Sequence, residues 1–341
     1  MRNSPSRPMN VHVGGGSRAE RSFVPEVIVP GIPPTPDHDL IYRGGKTIPK
    51  LAYKNFYIGG QASWNETDIK NIDDALSAVM TDEGLNEIIQ QYFNRPIETL
   101  FRGSQVVAGR KPRLVTQASI ERTVALLFRN NAFAGFDLES TVVNFMLPSG
   151  TILTDDDSPR AGRARGQPSD IPFEDEASSL EGLGGYHGSV HITSAEGRKT
   201  VYYAVGVFSE ARDGQQNGIV AFDQPWKNVV ATFYHELCEA RTDPDVEDVI
   251  KGILPDSALG WTSNQGFECG DFPVFEAGRD LKKVFVEVKL KNGKTLPVQF
   301  QYSNRVHGPE GPASSDRASG HHHEKHEKHE KHKKAVKCWP K

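Results

Sequence analysis

The stretch Asp223–Pro244, DQPWKNVVATFYHELCEARTDP, decides the reading of this chain. Its spacing predicts one helix with a start, a face and a stop. Asp223 is the expected N-cap, and Pro225 sits where an early helical proline is tolerated. Val229, Val230, Phe233, Leu237 and Ala240 recur at helical spacing. Pro244 ends the run, because the residue before a proline avoids the α region. On such a helix His235 and Glu239 stand one turn apart on the same side, with Glu236 beside them. Two ligands one turn apart with an adjacent carboxylate is the layout of a hydrolytic metal helix. The second ligand is a glutamate where the usual motif has histidine, so the pattern also fits a surface helix with solvated acids.

A later segment, Glu268-Cys269-Gly270-Asp271, follows Gly260-Trp261 and supplies further acids. Catalytic metal sites combine three protein ligands with an open position, so Glu268 or Asp271 is the expected third ligand. The competing reading makes both of them ordinary loop acids.

Upstream, Leu51–Ile58 is rich in aromatic residues and stops at Gly59-Gly60, which predicts a strand. Helices are expected from about Glu66, near Leu85–Phe93 and near Gln117–Asn130, with Gly84 separating the first two. Ser104–Ala108 and the apolar run Thr141–Leu147 read as strands. The alternation predicts an α/β fold with parallel strand pairs. Gly185–Ile192 and Thr200–Phe208 read as two more strands. On the first, His187 and His191 share a face. One of them is expected at the metal site, as ligand or transition-state donor, and the alternative is a pair of hydrogen-bonded sheet histidines. Val284–Leu290 and Leu296–Gln301 flank Asn292-Gly293, a strong hairpin signal. Tyr302 and His307, close by, are weaker candidates for reaching the site.

Residues 1–45 are glycine- and proline-rich and read as a flexible segment, 46–310 as a single α/β domain with a charged insertion at 151–183, and 311–341 as a low-complexity tail. Asp155-Asp156-Asp157 in the insertion lacks the spaced acids and glycine of a calcium loop. Six of the twelve histidines fall in the tail, spaced to bind nickel, copper or zinc.

Lys plus Arg total 40 against 44 Asp plus Glu, so the near-neutral balance of −4 gives no sign of a nucleic-acid partner. No apolar run has membrane-spanning length, so no membrane partner is expected. Three cysteines are too few for a disulfide scaffold. With no apolar stretch near Met1 to serve as a secretory signal, the expected location is cytoplasmic, with secretion left open.

The order of these features resembles the plant Exordium, or phosphate-induced protein, family and its microbial relatives. The resemblance rests on Tyr53–Trp64, Gln91-Tyr92-Phe93, Gly185-Tyr186-His187 followed by Val201–Val205, His235-Glu236-Leu237-x-Glu239 with Thr242-Asp243-Pro244, and Glu268-x-Gly270-Asp271. The family often has cysteine where this chain has Gly184 and Phe272, so its disulfides and secretion do not carry over. It implies a metal-site fold and no defined substrate. The combined expectation is a zincin-like α/β fold with a mixed, partly parallel sheet. His235, Glu239 and Glu268 or Asp271 would hold zinc, with manganese or calcium also compatible. Glu236 would be the catalytic base and His187 an assisting group, acting on a peptide or small-molecule substrate. The alternatives are a structural ion or acidic core without catalysis, and metal storage through the tail.

Overall fold

A computed structural model describes residues 29–155, 178–194, 197–212, 214–289 and 293–311. Its centre is a five-stranded sheet of β1 (Lys50–Tyr57), β2 (Glu98–Val106), β3 (Thr141–Met146), β4 (Gly185–Ser194) and β5 (Gly197–Gly206), in the order β2-β1-β3-β5-β4. Four strands run parallel, and β4 closes one edge antiparallel to β5. The inner parallel strands β1, β3 and β5 are buried over most of their length and rich in apolar residues, whereas the edge strand β2 is exposed or half-buried throughout. Period-two alternation then sorts them. Tyr53, Tyr57, Val142, Met146 and Ala204 enter one core, while Phe56, Val143, Phe145, Tyr203 and Val205 enter the other.

The first core is covered by α1 (Glu66–Thr81), α2 (Glu83–Gln90) and the long α4 (Pro225–Thr242), the second by α3 (Gln117–Arg129). Asn65 caps α1. The break between α1 and α2 falls at Asp82, not at Gly84. Asp82 ends the first helix and its side chain accepts from Leu85 N at 2.9 Å, capping the second. A carboxylate that can satisfy the orphan donors of a helix start decides the boundary more strongly than an interior glycine.

Helix α4 is buried nearly all round. It begins after Gln224, one residue later than Asp223 predicts, with Pro225 in its first turn. Its close approach to the sheet depends on Gly206, where a Cβ would stand 2.9 Å from the Phe233 ring. Polar residues on so buried a helix need partners. Arg241 donates to Glu98 O at 3.0 Å and to Thr99 Oγ1 at 2.8 Å, which ties α4 to β2.

The expected hairpin forms as β6 (Phe285–Lys289) with β7 (Thr295–Gln299), and β7 packs on α4. Residues 29–45, expected to be flexible, are held against the domain instead. Val29, Ile32 and Leu40 are buried, and Ile41–Tyr42 pairs with Trp261–Thr262. The side chains of Tyr302 and His307 serve this segment and not the site. The Tyr302 hydroxyl donates to Thr35 O at 2.6 Å, and His307 Nδ1 lies 2.9 Å from Asp39 Oδ1. Residues 1–28 of the segment expected to be flexible, Asp156 and Asp157, and the histidine tail lie outside the described residues. Among the described residues no helix is long and apolar enough to cross a membrane.

Candidate metal centre

The two histidines and four acids singled out in the sequence meet in one place. Helix α4 supplies His235, Glu236 and Glu239. His187 comes from the beginning of β4, opposite Ala204 of β5. Glu268 and Asp271 come from the turn into the short helix α5 (Asp271–Ala277). That turn is held in place from two sides. Tyr302 N donates to Cys269 O at 2.7 Å, and Gly270 N donates to Glu239 Oε1 at 2.8 Å.

His235 Nε2 lies 2.9 Å from Glu239 Oε2 and 3.8 Å from Asp271 Oδ1. Its other nitrogen, Nδ1, is 2.8 Å from Gln299 Oε1. The Gln299 amide donates to Gly270 O at 2.5 Å, which turns its oxygen toward the ring. Nδ1–H therefore donates to Gln299, and Nε2 faces the acids. An outer hydrogen bond of this kind orients a ligating imidazole and raises its basicity. Gln299, at the end of β7, carries no metal-ligand signal in the sequence; only the sheet geometry brings it here.

His187 lies beside the same acids. Its Nδ1 is 3.4 Å from Glu236 Oε2 and 3.9 Å from Glu239 Oε2, and its Nε2 is 3.7 Å from Glu268 Oε1. His191 is directed elsewhere, with Nε2 2.9 Å from Asp248 Oδ2. Asp243, which the sequence marked only as a helix stop, is fully buried beside the site and accepts from Gly260 N at 2.9 Å.

Two groupings of three could each hold an ion: His235, Glu239 and Asp271, and His187, Glu239 and Glu268. Both contain one imidazole and two carboxylates, a donor set that suits zinc and also harder ions. A cavity of about 270 Å³ opens beside the first grouping, lined by His235, Glu236, Asp271 and the apolar Ile219, Phe267 and Val274.

The electrostatics follow from crowding acids in a desolvated place. Burial and the neighbouring Glu239 push Glu268 well above the usual carboxylate range. Burial and Glu239 likewise raise Asp271 to about 6. Asp243 rises to about 7, mainly through burial. Burial alone would lower the pKa of His187, but Glu236 and Glu239 outweigh it and raise the imidazole to about 9. His235 is raised well above its ordinary value by the same contest, with Glu239 the main opposing charge.

Gly270 lets the turn lie against the His235 ring. A Cβ there would sit 2.5 Å from Nδ1. Gly270→Ala is therefore expected to weaken metal binding at least ~10-fold by displacing the ring from Gln299, without touching a ligand. Isothermal titration with a divalent ion checks this; unchanged affinity would show that the ring's placement does not matter. No family model, curated protein or solved structure matches the chain, so the Exordium resemblance rests on its motifs alone.

Proposed function

We propose that the protein is a metal-dependent hydrolase of zincin-like type, acting on amide bonds of peptides or small molecules. The observation that carries this reading is the convergence of His235 Nε2, Glu239 Oε2 and Asp271 Oδ1 beside a cavity that also exposes Glu236. The mixed sheet with a buried helix bearing His-Glu-x-x-Glu supports it, as does the Exordium-like order of motifs. Zinc is the first candidate ion, and manganese and calcium remain compatible with the carboxylates.

A divalent ion held there would supply Lewis acidity, making water more acidic and polarising a substrate carbonyl. The chain's own residues do the rest. Glu236 takes the proton from the attacking water and passes it to the leaving amine. His187, 3.4 Å away, donates to the Glu236 carboxylate and holds it toward the cavity. Ile219, Phe267 and Val274 seat an apolar substrate group and exclude bulk water. Gln299 keeps the His235 ring in the orientation that aims Nε2 at the acids.

The test is metal analysis of the chain ended at Gly320, which removes the tail's imidazoles, beside the same chain with His235→Ala. Zinc or manganese in the first, with affinity reduced at least ~100-fold in the second, is the expected result. Equal binding by the two would reject the site.

A further inference from the structure

We infer that the centre is built for two divalent ions bridged by Glu239, the first with His235 and Asp271 and the second with His187 and Glu268. The first ion is that of the reading above, on which this inference rests; the second is new. Both groupings offer one imidazole and two carboxylates, and within each the ligand atoms lie within 4.8 Å of one another. Glu239 is common to them. Its Oε2 is 2.9 Å from His235 Nε2 and 3.9 Å from His187 Nδ1, while its Oε1 is engaged by Gly270 N. The carboxylate is thereby fixed with one oxygen between the two imidazoles.

The turn 268–271 divides its acids between the two positions. Glu268 N donates to Asp271 Oδ2 at 2.7 Å, which fixes Asp271 with Oδ1 toward His235. The Glu268 side chain goes the other way, with Oε1 3.7 Å from His187 Nε2. That oxygen is buried and has no hydrogen-bond partner, and the residue is only 7% exposed. A buried carboxylate oxygen left bare is costly, and a cation beside it removes the cost.

Charge balance favours the same conclusion. The carboxyl groups of Glu236, Glu239, Asp243, Glu268 and Asp271 gather around two imidazoles. The buried Arg241 does not offset them, because its guanidinium donates to Glu98 and Thr99. With the ligands deprotonated, as metal binding requires, one divalent ion leaves an excess of negative charge among these carboxylates, and a second offsets it. A shared carboxylate holds two such ions about 3.5–4 Å apart, the spacing at which a pair can clamp both the attacking and the leaving group.

Manganese is the probe of choice. It prefers carboxylate oxygens, whereas the tail's imidazoles favour nickel, copper and zinc. Electron paramagnetic resonance of the full chain loaded with Mn2+ reads the arrangement without an activity assay. The expected result is about two ions in the body and an exchange-coupled spectrum, its hyperfine lines at half the spacing of an isolated ion. His187→Ala and Glu268→Gln should each abolish the coupling and leave a single-ion spectrum. The wild-type spectrum decides the matter even where a variant fails to fold. A single uncoupled ion that is lost in His235→Ala, yet unchanged by His187→Ala and Glu268→Gln, overturns the second site and leaves the first standing. No His235-dependent manganese signal at all overturns this inference, and the same result with zinc overturns the hydrolase reading as well.

Discussion

Glu236→Gln is expected to retain bound metal and to lose hydrolysis by about 10²–10⁴-fold, the span attributed to a positioned general base. Glu236 is 4% exposed and lies on the same helix as His235 and Glu239, yet belongs to neither triad of candidate ligands. Its carboxylate borders the cavity and meets His187. An amide of the same shape keeps the packing but cannot accept the proton from water. The contrast with His235→Ala is what gives the experiment its force, since removing a ligand should take metal and turnover together. A quenched fluorescent peptide mixture reports turnover, and metal analysis of the same sample reports occupancy. Unchanged hydrolysis would remove Glu236 from the mechanism. Loss of metal with turnover would make it a ligand or a structural acid.

The parts of this centre that local periodicity encodes were legible in the chain. His235 and Glu239 are one helical turn apart, so a correct helix assignment is enough to put them on one side. His187 is on a strand where parity restricts its face, but parity does not choose between His187 and His191. The choice is made by strand position, which puts His187 near α4 and leaves His191 against Asp248. Glu268 and Asp271 were visible as acids around a glycine, but which imidazole each faces depends on the Glu268 N to Asp271 hydrogen bond. Gln299 could not be found this way. An amide carries no ligand signal, and its approach to His235 depends on how the β6–β7 hairpin lies over α4. The strand order of the sheet was equally hidden, because alternation says which face is buried and not which strand is the neighbour. The placement of residues 29–45 was hidden for the same reason. A proline-rich stretch shows no period, and its anchors, such as Asp39 to His307 and Tyr302, span most of the chain.

Without metal, the folded protein is expected to lose stability as pH rises, by about 3 kcal/mol from His187 alone. The sign follows from proton uptake. His187 is raised from 6.5 to about 9 in the folded state, so the native protein keeps this proton where the unfolded chain has released it. The stabilisation is complete below about 6.5 and is lost as pH climbs through about 9. A displacement of that size at 1.36 kcal/mol per pH unit gives the stated ~3 kcal/mol. Two of the crowded acids act in the same direction. Asp271 at about 6 and Asp243 at about 7 are raised above 3.8, so their folded forms are favoured while protonated and disfavoured once ionised. Metal reverses the balance, because ligands must shed protons to bind it. Affinity should therefore increase over the interval in which the metal-free protein weakens, and a bound ion should flatten the stability profile. Urea unfolding in EDTA at about pH 6 and about pH 9, repeated with excess Mn2+, measures both arms. Metal-free stability that stayed level or rose across that interval would mean that the imidazole of His187 is not held as a cation among these acids. Proton and metal would then not be competing for the same oxygens and nitrogens, and the crowding of carboxylates around α4 would need another cause.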